Sequence, residues 1–402
     1  MHLQVEFASL LKIRAKGFIL MKNESFTDVK YTMKHISYLL LLLLSVVSCS
    51  TPSHQELEQK VQYIPYNGNS ESIYSGDIFK TISFIPLETN DTCLLGTASR
   101  IIYKNAIYYI KSNNRIYLFD DKGDIIRIIN RHGDGPEEYN YFWMMAVSDK
   151  GHISLIQRGE FSIITYNSYG NFISRLKLDT IKARDLKYLN DSILITKSDF
   201  ERNGNKYHVI NMNNSTIENS LYPISYREHR IAMKDCMTAY QGKILTCDYH
   251  SNEIHEITKD SVSIKYIFNI NGKMPPAGYW DNNQIDYLTL DKDYEEKGYI
   301  GDIPCFVEND KAILFRFHGM KEGLESFAYI NKLTGQIRTF DTIILADGLS
   351  VKPTFFHAQD NGKLIFAIEP ISILESGNEE LKAKFPDLEE DSNPVLLYVE
   401  LN

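Results

Sequence analysis

The sequence is short of the devices that usually give chemistry away. It has no GxSxG elbow, no HExxH, no GxxxxGK[ST] and no CxxC pair, which removes the standard local signatures of serine hydrolases, zinc peptidases, phosphate loops and paired-thiol sites. Asp291-Lys292-Asp293-Tyr294-Glu295 alternates carboxylates as calcium loops do. It lacks the loop glycine and the closing glutamate, so it reads as a solvated helix face. Cysteines are few: Cys49, Cys93, Cys236, Cys247 and Cys305 in 402 residues. Cys236 and Cys247 could lie on neighbouring strands, but a chain of this size needs no staples, and four small buried hydrophobes are an equal alternative. No bilayer-spanning run is evident, since the apolar stretch Ile36–Val47 has only 12 residues against the roughly 20 required. Basic charge is in deficit, 43 Lys and Arg against 52 Asp and Glu, which argues against a nucleic-acid partner.

What the N-terminus does have is a leader. Met33-Lys34-His35 precedes Ile36–Val47, and Val46-Val47-Ser48 leads into Cys49, the order of a signal peptide. The VVSC ending resembles the lipobox of bacterial lipoproteins, which implies that Cys49 becomes the lipidated first residue; an ordinary secretory signal cut nearby is the alternative. The expected organisation is an upstream extension (1–32), a lipoprotein signal peptide (33–48), a polar tether (49–75) and one folded domain (76–402). Without residues 1–48 the net charge is −12. Membrane attachment would then come from the lipid, and the expected location is the cell envelope, as an outer-membrane lipoprotein facing periplasm or exterior.

Aromatics are plentiful, with 26 Tyr and 20 Phe, which favours strands. Asn114–Tyr139 reads as strand, turn, strand and a glycine-proline corner. The unit recurs six times, at turns anchored on Asn105, Gly151, Asp191, Gly242, Asp310 and Gly362, spaced 46, 40, 51, 68 and 52 residues apart. Four antiparallel strands per unit at this period predict an all-β fold, a six-bladed β-propeller. The last unit keeps only Pro394–Leu401 as a further strand, so the early strand Thr81–Leu87 is expected to complete the last blade and close the ring.

The corner Gly133-Asp134-Gly135-Pro136-Glu137-Glu138-Tyr139, followed by AVSDKGHISLI and YNSYGNFISRL, resembles the NHL repeat, with Glu137 in place of its middle glycine. Gly133, Gly135, Pro136 and Tyr139 are therefore read as an inter-blade corner. Over about residues 80–402 the chain is similar to six-bladed propeller lipoproteins of Bacteroidetes, through Ile85–Thr89 (IPLET), the GDGPEEY corner and the closing Asn393–Leu401 (NPVLLYVEL). The resemblance implies the fold, and no particular activity.

Chain direction sorts the loops. Second-to-third-strand loops and inter-blade loops share one face; first-to-second-strand turns lie opposite. The shared face collects Lys111, Arg158, Lys197, His250, Arg316, His318 and Glu369, with Arg131, His132, Arg227, His229 and Arg230 between blades, and both long insertions, 271–304 and 371–393. A binding or interaction module for an anionic small molecule, a glycan or an envelope protein would use this face, although charged strand ends are also what solvent asks for. Tyr279 and Trp280 are the preferred contacts, with capping of the ring's mouth as the plainer role. The alternative is a metal-dependent hydrolase or lyase of NHL or lactonase type working in the channel. The inner strands offer Ser99, Arg100, Met145, Lys187, Met237, Thr238, Phe306, Phe355 and His357, of which only His357 is clearly a metal ligand. No metal, no cofactor and a monomer are therefore the expectation.

Overall fold

In the computed structural model the described residues are 60–402 except 67, 69–70, 160, 199–203, 224–236, 249–250, 276–286, 320–324, 346–347, 349 and 352–355. Cys49, the leader, Cys236, His250, Tyr279, Trp280, Phe355 and the cluster at 227–230 lie outside them.

The chain opens with β1 (Val61–Ile64), β2 (Ser72–Tyr74), a helical turn α1 (Ser75–Ile78) and β3 (Phe79–Pro86). Blade 1 is β4 (Ala98–Lys104), β5 (Ile107–Ser112), β6 (Arg115–Asp120) and β7 (Ile125–Ile129). Blade 2 is β8 (Phe142–Val147), β9 (Ile153–Gln157), β10 (Ser162–Tyr166) and β11 (Phe172–Lys177). Blade 3 is β12 (Ala183–Asn190), β13 (Ile193–Ser198), β14 (Asn205–Asn211) and β15 (Thr216–Pro223). Blade 4 is β16 (Thr238–Tyr240), β17 (Lys243–Cys247), β18 (Glu253–Ile257) and β19 (Val262–Ile270), followed by α2 (Tyr287–Lys297). Blade 5 is β20 (Ile300–Glu308), β21 (Ala312–Gly319), β22 (Glu325–Asn331) and β23 (Ile337–Phe340). After β24 (Thr342–Ile344) and β25 (Ser350–Val351), the closing blade takes β26 (His357–Ala358) and β27 (Lys363–Ile368). Two short helices follow, α3 (Pro370–Leu374) and α4 (Glu379–Ala383), then β28 (Val395–Leu401).

The propeller has seven blades, which corrects the expected six. The additional one is reduced to three short strands, in the order β2-β24-β25, with β2 parallel to β24. Strands of two or three residues carry no alternation that a repeat search could register, and one of them is borrowed from the N-terminal stretch. That stretch also departs from the tether expected at 49–75: β1 pairs in parallel with β19, Val61 opposite Ile267, as a fifth strand of blade 4.

Within the blades the turn chemistry is local. Asp120 Oδ1 accepts the backbone N–H groups of Lys122 and Asp124, both at 2.9 Å, and Asn167 Oδ1 does the same for Tyr169 and Asn171, so each hairpin is fixed by an Asx-type turn. Gly123 between β6 and β7 has φ +97°, and a Cβ there would lie 2.1 Å from the Pro86 carbonyl oxygen. Only glycine lets blade 1 lie against the closing blade at that point.

The closing blade forms as the sequence suggests. β3 pairs antiparallel with β28, from Pro86 opposite Val395 to Phe79 opposite Leu401. Two distant motifs meet there: Asn393 donates its backbone N–H to Thr89 Oγ1 (2.9 Å), its amide to the carbonyls of Glu88 (2.6 Å) and Cys93 (2.9 Å), and accepts from Leu95 N (2.7 Å). Each side-chain atom of this buried asparagine is thus satisfied, as burial requires.

Between blades the packing is apolar. Tyr109 and Leu118 of blade 1 meet Met145, Leu155 and Tyr166 of blade 2, all buried; each such side chain contributes about 1.5–3 kcal/mol. The glycine-proline corner links β7 to β8. Tyr139 is wholly buried and donates its hydroxyl to Asn114 O at 3.1 Å. A Cβ on Gly133 would meet Glu138 Oε2 at 2.0 Å, and Gly135 N–H donates to that oxygen at 3.0 Å. Exposed Pro136 forms the tip.

Candidate functional site

The first strands line the axis, so each turn between first and second strands reaches one mouth of the channel and each second strand ends at the other. The repeat anchors ring the first, turn-side mouth. There Asp360, in the turn after β26, receives Lys187 Nζ at 2.6 Å, Lys104 Nζ at 3.2 Å and the Ala239 N–H at 3.1 Å; Lys104 also reaches Asp149 at 2.7 Å. Gln359 accepts from Tyr103 N (2.8 Å) and donates to Ile101 O (2.9 Å) and His357 O (3.1 Å). A single turn of the closing blade thereby joins blades 1, 3 and 4. Burial raises the Asp360 carboxyl, but Lys187 and Lys104 outweigh it and hold the group below the usual carboxylate range. A cavity of about 370 Å³ opens here, bordered by Asn105, Asp149, Asn190, Gly242 and Asn361.

Deeper on the axis lies Asp185, 1% exposed, near Arg100, Lys197 and Lys187; burial is the stronger influence and its carboxyl is raised. His357, also buried, is pushed down to about 3 by burial and by the Arg100 guanidinium. At that value it is neutral at pH 7.

The loop-side mouth is built from the ends of the second strands. Asp248, just past β17, pairs with Lys197 Nζ at 2.8 Å and with Lys206. Lys197, 2% exposed, also donates to the Cys247 carbonyl at 2.7 Å. Burial raises the Asp248 carboxyl, yet the two ammonium groups overwhelm it and hold the group far below the usual range. Blades 1 and 2 are different. Lys111 at the end of β5 is 6% exposed, and among the described residues no carboxylate lies within ion-pair distance of it. Its ammonium donates to Ser99 Oγ (3.1 Å) and lies 5.2 Å from the Phe142 ring and 5.8 Å from the Tyr141 ring. Burial alone lowers its pKa. Close by, the buried Gln157 Oε1 and Ser162 Oγ have no hydrogen-bond partner among the described residues; in blade 3 neither do Thr196 Oγ1 and Ser198 Oγ. The guanidinium groups of exposed Arg158 and of Arg184 lie over the Trp143 ring, 4.7 and 4.5 Å from its centroid.

Of the residues singled out from sequence, Lys111, Arg158 and Lys197 gather at this mouth, and Arg316 and His318, both half-buried on β21, stand on its rim. His357 belongs to the axis. Sequence reasoning missed Asp185, Asp248 and Asp360, the carboxylates facing Lys104, Lys187, Lys197 and Lys206, and Gln157 and Ser162, which carry no pattern of their own. Among the described residues no group of three His, Cys, Asp or Glu side chains is gathered for a metal. Cys93, Cys247 and Cys305 are buried.

The propeller of four-stranded blades matches a described family, Domain of unknown function (DUF4934), over residues 61–400. The chain belongs to the DUF4934 family. The DUF4934 fold is shared by a solved protein of Bacteroides fragilis named for its inferred export, 17% identical at a TM-score of 0.68, with 85% of this chain and 99% of that one covered. A member of the DUF4221 family from Bacteroides vulgatus aligns at 10% identity and a TM-score of 0.46, covering 81% of this chain and 97% of that one. No curated protein matches the DUF4934 chain.

Proposed function

We propose that this protein is an exported binding module, held to the cell envelope by a lipid on Cys49, that takes an anionic or sugar-like ligand at the loop-side mouth. The observation that carries the reading is the contrast in charge. The turn-side cations are matched by Asp149 and Asp360, whereas Lys111 and Arg158 are set among neutral and aromatic groups at the other mouth. A buried cation without a counter-ion is costly to fold around, and an anionic ligand would offset that cost. The VVSC leader and the export-named relative support the location. Arg316, His318 and His250, with Tyr279 and Trp280 from the long insertion, would supply rim contacts.

The test is an array of glycans and small organic anions probed with purified protein. Charge reversal at Arg158 and Arg316 should abolish the hits, and alanine at Tyr279 and Trp280 should weaken them; hits indifferent to all four would move the site elsewhere. Labelled-palmitate incorporation that disappears in Cys49→Ser tests the anchor.

A further inference from the structure

Lys111 is where the loop-side reading can be given a chemistry. Cross-strand register places Gln157 opposite Phe142 and Ser162 opposite Gln157, so these side chains share one face of blade 2. It is the face against which the Lys111 ammonium lies, 5.2 Å from Phe142. Among the described residues, the cleft between blades 1 and 2 therefore holds a positive charge without a carboxylate, an acceptor without a donor at Gln157 Oε1, and an unused hydroxyl on Ser162. All three residues are at least nine-tenths buried. At the lip stands Tyr141, 44% exposed, whose carbonyl fixes the Arg158 backbone at 2.8 Å.

A halide would answer the charge but would leave the Gln157 oxygen without a proton donor; hydrogen phosphate could donate one proton there but offers no apolar face to Tyr141. A neutral sugar would satisfy the amide and the hydroxyl but leave the ammonium, which donates to Ser99 Oγ and the Asn113 carbonyl, without a counter-ion. A ligand that meets all three carries an anionic oxygen and a hydroxyl, with a flat apolar face to lie on Tyr141. We propose that the cleft between blades 1 and 2 is a subsite for a carboxylated sugar, with the carboxylate on Lys111 and a ring hydroxyl donating to Gln157. This rests on the loop-side reading above and narrows it to a ligand class.

The experiment is calorimetric titration of purified protein with D-glucuronate and D-galacturonate, beside D-glucose, glucose 6-phosphate and inorganic phosphate. One of the uronates should bind at least tenfold more tightly than glucose and either phosphate. Lys111→Met should weaken that uronate at least tenfold without lowering the unfolding midpoint, because the substitution removes an unpaired charge and keeps the aliphatic stem. Gln157→Leu, which leaves Lys111 in place, should weaken it several-fold. The subsite is overturned if no uronate outcompetes glucose, if phosphate or glucose 6-phosphate binds as well, or if Lys111→Met unfolds the protein at a markedly lower midpoint. Uronate binding that survives Lys111→Met and Gln157→Leu but is lost in Arg316→Ala would end this inference and leave the loop-side reading standing.

Discussion

The two mouths of the channel are made from opposite ends of the same strands, yet they treat buried charge in opposite ways. At the turn side Asp360 collects Lys187, Lys104 and a backbone N–H, and Asp149 also pairs with Lys104, so two carboxylates answer two ammonium groups. At the loop side Asp248 pairs with both Lys197 and Lys206 in blades 3 and 4; in blade 1, among the described residues, Lys111 has no carboxylate within ion-pair distance. The difference separates charges that the fold pairs within itself from charges it surrounds with neutral and aromatic groups.

The sharpest way to break the comparison is to remove the loop-side counter-ion. Asp248→Asn strands two ammonium groups, one of them 2% exposed, and should cost about 3–5 kcal/mol in denaturant unfolding. Asp360→Asn should cost less, about 3 kcal/mol, because Lys104 keeps Asp149. Equal and negligible losses at both sites would remove the ion pairs from the account.

Acid titration separates these pairs from the buried histidines. His357 and His208 are held at about 3 and about 4 in the folded state, both chiefly by burial, while unfolded histidine titrates near 6.5. Between about pH 6.5 and 4 the unfolded chain therefore binds more protons, so stability falls as pH falls. Below about pH 4 the carboxylates take over: Asp248 and Asp360 are depressed in the fold, so their contribution is present above the unfolded carboxylate range and is lost as they protonate. Unfolding of His357→Gln and His208→Gln across this range should show a flatter upper limb and an unchanged lower one.

Smaller effects mark the turn-side ring itself. Gly362 has φ +76°, and a Cβ there would stand 2.7 Å from Asn309 Cβ, so Gly362→Ala should cost about 1–2 kcal/mol. Gly242 has φ +70° with nothing within 4 Å, and Gly242→Ala should cost about 1 kcal/mol from backbone strain alone.

Much of this frame was readable in the sequence. The anchors at Asn105, Gly151, Asp191, Gly242, Asp310 and Gly362 declared themselves through turn chemistry, and the pairing of β3 with β28 followed from a strand left over at each end. The reduced blade did not, because β25 has two residues and β2 sits in a segment too polar to look like a strand. For the site, strand-end position was enough to bring Lys111, Arg158 and Lys197 to one face. Whether each is paired depends on which blade its side chain leans toward, a matter of register and twist. Lys111 and Lys197 occupy equivalent strand ends and differ only in what the next blade presents, Phe142 in one case and Asp248 in the other.

Denaturant unfolding of Lys187→Met beside Lys111→Met, without added ligand, tests that distinction most directly. Removing Lys187 takes a partner from Asp360 and should lower the midpoint clearly, while removing Lys111 should leave the midpoint unchanged or raise it. Losses of equal size at the two positions would contradict the division of the channel into a self-paired mouth and an incomplete one.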